Sequence, residues 1–234
     1  MGSVFRFKQF EVDQAGCAMR INTDGVLLGA VAAQSAPVTI LDIGTGTGVI
    51  AMMLAQRFPD AEIHAVEIDP SAAAAADQNF RNSPFAGRTA AFSISIENYK
   101  PAVKYDLIVS NPPYFVNDLK NPEKRKEIAR HADAYFFEML LKATAGMLNP
   151  DGLLWLVLPV KQAENVIINA VLQKLFPVKI IHIYSDETKE PFRQMICLGF
   201  EVKEVVNERV YIYAAQGVYT DQYKQLLKDF FLAF

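Results

Sequence analysis

The sequence predicts an α/β domain built on a doubly wound, mostly parallel sheet, and three observations carry that expectation. From residue 38 onward, short apolar runs alternate with helical periodicity; a glycine-rich turn closes the first run; and two late apolar runs lie too close together for a crossover helix. In order, Val38–Asp42 reads as a strand, Val49–Arg57 as a helix, Glu62–Glu67 as a strand and Ser71–Phe80 as a helix. A third strand is expected near Ala91–Ser95 and a fourth at Tyr105–Val109. A helix over Tyr135–Leu148 then leads through the Asn149-Pro150-Asp151-Gly152 turn to a strand at Leu153–Leu158. Beyond Pro159, a helix over Gln162–Lys174 precedes strands at Val178–Tyr184 and Gln194–Val202, which their short connection makes antiparallel. Tyr211 and Tyr213 alternate with Ile212 as in a strand piece, and Asp221–Phe234 reads as a closing helix carrying Tyr223, Leu226, Leu227, Phe230 and Phe231.

Composition bounds the function. The 234 residues suit a single domain, 1–234, and contain neither an internal repeat nor a low-complexity linker. Half the residues are hydrophobic, but no run approaches the roughly 20 apolar residues of a membrane span. The first ten residues carry Arg6 and Lys8 among phenylalanines and lack a secretory h-region, so a cytoplasmic protein is expected, with no membrane and no obligatory protein partner. Cys17 and Cys197 are too few for a disulfide framework, and neither has the neighbours a metal site needs; no metal is expected. A net charge of −3 and a pI near 5.7 argue against indiscriminate nucleic-acid binding. Locally, the run Lys120–Arg130, with Lys124, Arg125 and Lys126, is basic enough to meet phosphates or simply to be a solvated segment.

Two motifs carry chemistry. Leu41-Asp42-Ile43-Gly44-Thr45-Gly46-Thr47-Gly48 places three glycines between a strand and a helix, where the backbone must turn sharply and approach a ligand closely. The spacing is GxGxG with an acid ahead of it, not the GxGxxG of a dinucleotide site. Glu67 closes the second strand at the distance where an acidic residue meets ribose hydroxyls, and a carboxylate suits a vicinal diol. Asp69 competes for that role but precedes Pro70, so it also reads as a helix N-cap. The second motif, Ser110-Asn111-Pro112-Pro113-Tyr114, follows the fourth strand at the carboxyl edge of the sheet. Its prolines remove backbone donors and stiffen the loop. The Asn111 side-chain oxygen and the Pro112 carbonyl are then placed to accept both hydrogens of an amine, with Tyr114 as a stacking face. Holding the nitrogen lone pair toward an electrophile would make positioning the main catalytic contribution.

The glycine turn resembles motif I of Rossmann-like class I methyltransferases, and Asn-Pro-Pro-Tyr resembles the signature of amino-group methyltransferases that act on adenine N6, guanine N2 or glutamine N5. The resemblance implies a seven-stranded, mostly parallel sheet with an antiparallel last strand and S-adenosylmethionine as cofactor, leaving S-adenosylhomocysteine. Asp42 would approach the amino end of that sulfonium ligand, beside Gly44, Gly46 and Gly48, and Glu67 would take the ribose. Relatives usually put an aspartate at the end of the third strand for the adenine amine; Ser95, Ile96 and Glu97 stand there in this chain.

Further segments narrow the family. Phe7-Lys8-Gln9-Phe10, Cys17-Ala18-Met19-Arg20, Thr23-Asp24-Gly25, Leu27-Leu28-Gly29-Ala30, Asn111 to Phe115, Ala129-Arg130-His131 and Lys189-Glu190-Pro191-Phe192-Arg193 resemble the bacterial tRNA(Val) adenine-N6 methyltransferases, which modify the adenine 3′ of the anticodon. That likeness implies tRNA as partner, residues 1–37 as a cap over the cofactor pocket, and Lys8, Gln9, Phe10, Thr23 and Asp24 beside it. It also implies Pro113, Phe115, Lys124, Arg125, Arg130, His131 and Arg193 toward the substrate. Three of these keep a second reading: Thr23-Asp24-Gly25 as a cap of the following helix, Arg130 and His131 as part of an ordinary exposed loop, and Arg193 as an ion-pair partner of Glu190 or Asp186. Glutamine-N5 methylation of release factors is the alternative from another substrate class, as is another rRNA or DNA amine. The release-factor enzymes carry a helical substrate domain ahead of the glycine turn, for which the roughly 40 residues before Gly44 leave little room.

Overall fold

The computed structural model describes residues 4–15, 17, 20–112 and 122–234, the side chains of 122–133 excepted. The chain enters through a hairpin, β1 (Val4–Arg6) and β2 (Glu11–Asp13), and then forms α1 (Thr23–Val31). Alternating units follow: β3 (Thr39–Ile43), α2 (Val49–Arg57), β4 (Glu62–Glu67), α3 (Pro70–Arg81), β5 (Thr89–Ser93), β6 (Tyr105–Ser110), α4 (Pro122–Met147), β7 (Leu148–Leu158) and α5 (Val160–Ala170). The last part comprises β8 (Phe176–Tyr184), β9 (Arg193–Gly199), β10 (Val206–Tyr211), a small pair β11 (Tyr213–Ala215) and β12 (Val218–Tyr219), and α6 (Asp221–Leu227).

The main sheet has the order β10-β8-β9-β7-β6-β3-β4-β5. Only β9 runs against its neighbours, β7 and β8. The central strands read as almost unbroken apolar runs because helices cover both faces. One core gathers Ile40, Ile63, Leu107 and Val109 with α1, α2, Phe80 and the C-terminal Phe230. The opposite core gathers Leu41, Ile108, Leu154 and Leu156 with Phe137, Leu140 and Leu141 of α4 and Ala163 and Val166 of α5.

Three expectations are corrected. The sheet has eight strands rather than seven, because β10 pairs in parallel with β8 at the edge, and the reversed strand lies inside the sheet between β8 and β7. The closing helix stops at Leu227 instead of running to Phe234. Phe230 and Phe231 turn back on the N-terminal hairpin: Lys8 N–H donates to the Phe230 carbonyl, and Phe7 bridges Phe231. The helix before β7 starts at Pro122, not near Tyr135.

Gly48 illustrates how tightly the glycine turn is built into this fold. It caps α2 with φ +82°, and a Cβ there would lie 2.5 Å from the ring of Phe80, itself 1% exposed. Gly48→Ala is therefore expected to destabilise the protein by about 2–4 kcal/mol, combining left-handed strain with overpacking. A urea midpoint equal to the parent's would contradict this.

Candidate active site

The parallel register brings the chemistry to one edge. Asp42 is level with Val109, Ile43 with Ser110 and Val66, and Glu67 with Ser93, so the ends of β3, β4, β5 and β6 meet around a single cleft. Ser110 Oγ donates to the Ile43 carbonyl at 2.8 Å and fixes two of those ends together. The cleft encloses about 390 Å³, within the range of small-molecule sites. Among the described residues its wall carries Glu67, Asp69 and Glu97 but no lysine or arginine, and Ile43, Val66, Ile68, Ile94 and Ile96 supply apolar surface. Such a wall rejects a pyrophosphate and suits a flat aromatic group joined to a cationic one.

Asp42 is fully buried and does not itself line this cleft, although its chain neighbours Ile43 and Gly44 do. Its Oδ2 accepts from Thr45 Oγ1 at 2.6 Å and from Ala51 N–H at 3.2 Å, while Oδ1 has no partner. Burial pushes the carboxyl up to about 7; the hydrogen bonds from Thr45 and Ala51 pull it down, and Glu67 adds a smaller upward push. A buried carboxylate oxygen without a donor is a standing cost that a cationic or N–H-bearing ligand would remove.

The glycines divide into two roles. Gly44 and Gly46 adopt φ +70° and +55°, and a Cβ on either would meet nothing within 4 Å, so both leave open space at the cleft wall. Gly48 does not line the cleft; Phe80 occupies the space beside it. Glu67 lies on the wall with both oxygens tethered: Oε2 accepts from Gly46 N–H at 2.9 Å and Oε1 from Asp69 N–H at 3.0 Å. Those bonds fix the carboxylate plane while each oxygen retains a lone pair. Asp69 takes the capping role, its Oδ1 accepting from Ser71 N–H at 2.8 Å ahead of Pro70.

Ser95, Ile96 and Glu97 all reach the cleft, although β5 ends at Ser93, two residues earlier than the sequence suggests. Ser95 Oγ accepts from Asn98 Nδ2 at 3.0 Å. Asn111 and Pro112 complete the cleft at the end of β6, and the Asn111 amide nitrogen lies 3.5 Å from Asn22 Oδ1. Ile68, Ala72, Ile94, Phe136 and Cys17 also line the wall and were missed from the sequence. The isoleucines follow strand ends and carried a signal in that position; Phe136, on α4, had none. Burial, followed by Asp69 and Glu67, raises the Cys17 thiol, which keeps it protonated.

The methyltransferase small domain family model matches residues 22–182, which contain both the glycine turn and Asn111. The tRNA1(Val) (adenine(37)-N6)-methyltransferase of Pedobacter heparinus is 59% identical, with all of both chains covered. Its counterpart in Bacteroides thetaiotaomicron is 39% identical over 97% of each chain. The chain belongs to the tRNA1(Val) (adenine(37)-N6)-methyltransferase family. In fold, this family member resembles a predicted O-methyltransferase from Agrobacterium tumefaciens, with a TM-score of 0.68 and 18% identity, over 88% of this chain and 96% of that one.

Within this methyltransferase, several expected site residues lie elsewhere. Lys8, Gln9 and Phe10 are not on the cleft wall: the Lys8 amine donates to the backbone oxygens of Lys228 and Phe234, where the hairpin meets the C-terminal turn, and Phe10 is buried in the core. Thr23 is exposed at the start of α1, away from the wall, and the cap of that helix is Asn22, whose Oδ1 accepts from Gly25 N–H at 2.8 Å. Asp24 is also off the wall, and its Oδ2 accepts from Arg193 Nε at 2.8 Å. Arg193 thus pairs with Asp24 rather than with Glu190 or Asp186, and its guanidinium lies 5.5 Å from the Phe192 ring centroid. Pro113, Tyr114 and Phe115 lie outside the described residues. Lys124, Arg125, Arg130 and His131 fall on α4, where only the backbone is described. Of the N-terminal segment expected to cap the pocket, Cys17 is the described residue on its wall.

Among the described residues, no group of three histidine, cysteine or acidic side chains could hold a metal, and no helix is long and apolar enough to cross a membrane.

Proposed function

We propose that this chain transfers the methyl group of S-adenosylmethionine to the N6 amine of an adenine in tRNA, the one beside the anticodon of tRNA(Val), and does so in the cytoplasm. The observation that carries the reaction is Asn111 at the rim of an acidic, partly apolar cleft. Its carboxamide oxygen suits the role of accepting from an acceptor amine that meets a cationic methyl donor in that cleft. The acceptor itself is supported by full-length identity of 59% to a tRNA1(Val) (adenine(37)-N6)-methyltransferase.

The residues present fit the cofactor. Asp42 Oδ1, buried and unpartnered, suits its ammonium directly or through water; Gly44 and Gly46 leave space for the chain between; Glu67 suits the ribose diol; and Ile68, Ile94 and Ile96 offer apolar surface for a purine. When bound, the cofactor supplies an electrophilic methyl on sulfur. The protein's contribution is to hold the amine. Asn111 Oδ1 and the Pro112 carbonyl accept its two hydrogens, which leaves the lone pair for in-line attack without a metal or a covalent enzyme intermediate. The proton lost from nitrogen would pass to solvent.

Glu67→Ala should weaken cofactor binding about tenfold and leave the rate at saturating cofactor nearly unchanged, as the loss of a charge-assisted hydrogen bond would do. Calorimetry of S-adenosylmethionine binding checks this, and an unchanged affinity removes Glu67 from the site. The acceptor is tested by offering labelled cofactor to tRNA, to a release factor and to DNA in parallel. Label is expected in tRNA alone; label entering only protein overturns the proposal in favour of glutamine methylation.

A further inference from the structure

Asn22 has a connection that the helix cap alone does not explain. It precedes α1 with φ −133° and ψ 169°, and its Oδ1 accepts from the backbone N–H of Gly25 at 2.8 Å. A backbone N–H only donates, so this bond fixes which end of the Asn22 amide is oxygen. The same Oδ1 lies 3.5 Å from Asn111 across 89 residues of sequence. An oxygen already committed as an acceptor can face only a donor, so the atom of Asn111 turned toward it must be the amide nitrogen. The reverse orientation would set two carbonyl oxygens against each other with no proton between them.

We infer that Asn22 is a positioning residue: it holds the carboxamide of Asn111 with its nitrogen toward α1 and its oxygen toward the cleft, where the acceptor amine donates. The inference rests on the role proposed for Asn111. The contact is long, as catalytic hydrogen bonds often are before substrate completes a site. What it supplies is a choice between two amide orientations that differ little in shape and completely in chemistry, since a flipped Asn111 would present donors to an amine that is itself a donor. Asn22 is itself held in place: Val26 N–H donates to its carbonyl at 3.2 Å, and the Asp24–Arg193 ion pair ties the first turn of α1 to the start of β9.

Three single variants and one double variant separate this role from capping. Asn22→Asp keeps an oxygen at the same reach for both Gly25 and Asn111, whereas Asn22→Ser keeps the cap but is too short to reach Asn111. Single-turnover rates at saturating S-adenosylmethionine and tRNA should stay within about threefold of the parent for Asn22→Asp. For Asn22→Ser they should fall about tenfold or more, with thermal midpoint and cofactor affinity unchanged. Asn111→Ala should be slower still, and adding Asn22→Ser to it should cost nothing more. An Asn22→Ser rate equal to the parent's, or an equal loss in Asn22→Asp and Asn22→Ser, overturns the inference. A parental rate in Asn111→Ala overturns instead the reading of Asn111 on which it rests.

Discussion

Replacing Asn111 by alanine should lower the methyl-transfer rate by about 1,000-fold while S-adenosylmethionine binds within about threefold of its original affinity. The size follows from removing a preorganised polar group that faces the reacting centre, a loss typically worth 100- to 1,000-fold in rate. Asn111 directly follows β6, whereas Asp42 and Glu67, assigned to the cofactor, lie on β3 and β4, so the two functions separate along the edge of the sheet. Single-turnover kinetics and calorimetry on one protein sample read both quantities. A fall in cofactor affinity matching the fall in rate would mean that Asn111 holds the cofactor, and retention of the parental rate would remove it from the reaction.

The second large effect concerns Asp42, and its sign depends on pH. Burial raises its carboxyl from the ordinary aspartate range to about 7, so the free protein binds a proton there that the unfolded chain has already lost. Stability of the free protein should accordingly fall as pH rises from about 4 to about 7 and level off above that. Binding runs the other way, because a cationic ligand selects the ionised carboxylate. Cofactor affinity should increase with pH up to about 7, by nearly tenfold per unit in the acidic limb, and then reach a plateau. Asp42→Asn should flatten this dependence and weaken binding about 100-fold at pH 8, without loss of thermal stability there. The check is S-adenosylmethionine affinity measured from pH 5.5 to 8.5. A parental profile without an acidic limb would show that Asp42 does not meet the cofactor's charge.

Much of the edge that bears the cleft was legible because its signals are local. The GxGxG turn, Glu67 at the end of β4 and Asn111 at the end of β6 each follow an apolar run that can only be a buried parallel strand. What escaped depended on partners far away in sequence. The sheet's eighth strand, β10, reads Val-Asn-Glu-Arg-Val-Tyr and is exposed along most of its length, so it lacks the apolar pattern that betrays an interior strand. Lys8 was drawn toward the cofactor by resemblance, whereas its amine satisfies backbone oxygens more than 200 residues away. Arg193 finds Asp24 across 169 residues, a pairing that no spacing rule anticipates. The cap of α1 fell one residue before Thr23 because Asn22 presents a better acceptor to Gly25, and that shift is what brings Asn22 within reach of Asn111.

The central claim is that the acceptor atom is the exocyclic amine of one adenine. It is tested most directly with two transcripts of tRNA(Val), one unaltered and one carrying purine riboside, which lacks the amine, in place of the adenine 3′ of the anticodon. After incubation with labelled S-adenosylmethionine and digestion to nucleosides, mass spectrometry should find about one N6-methyladenosine per unaltered transcript and no methylated nucleoside from the purine-substituted one. Equal methylation of both transcripts, or methyl on any atom other than N6, would contradict the account.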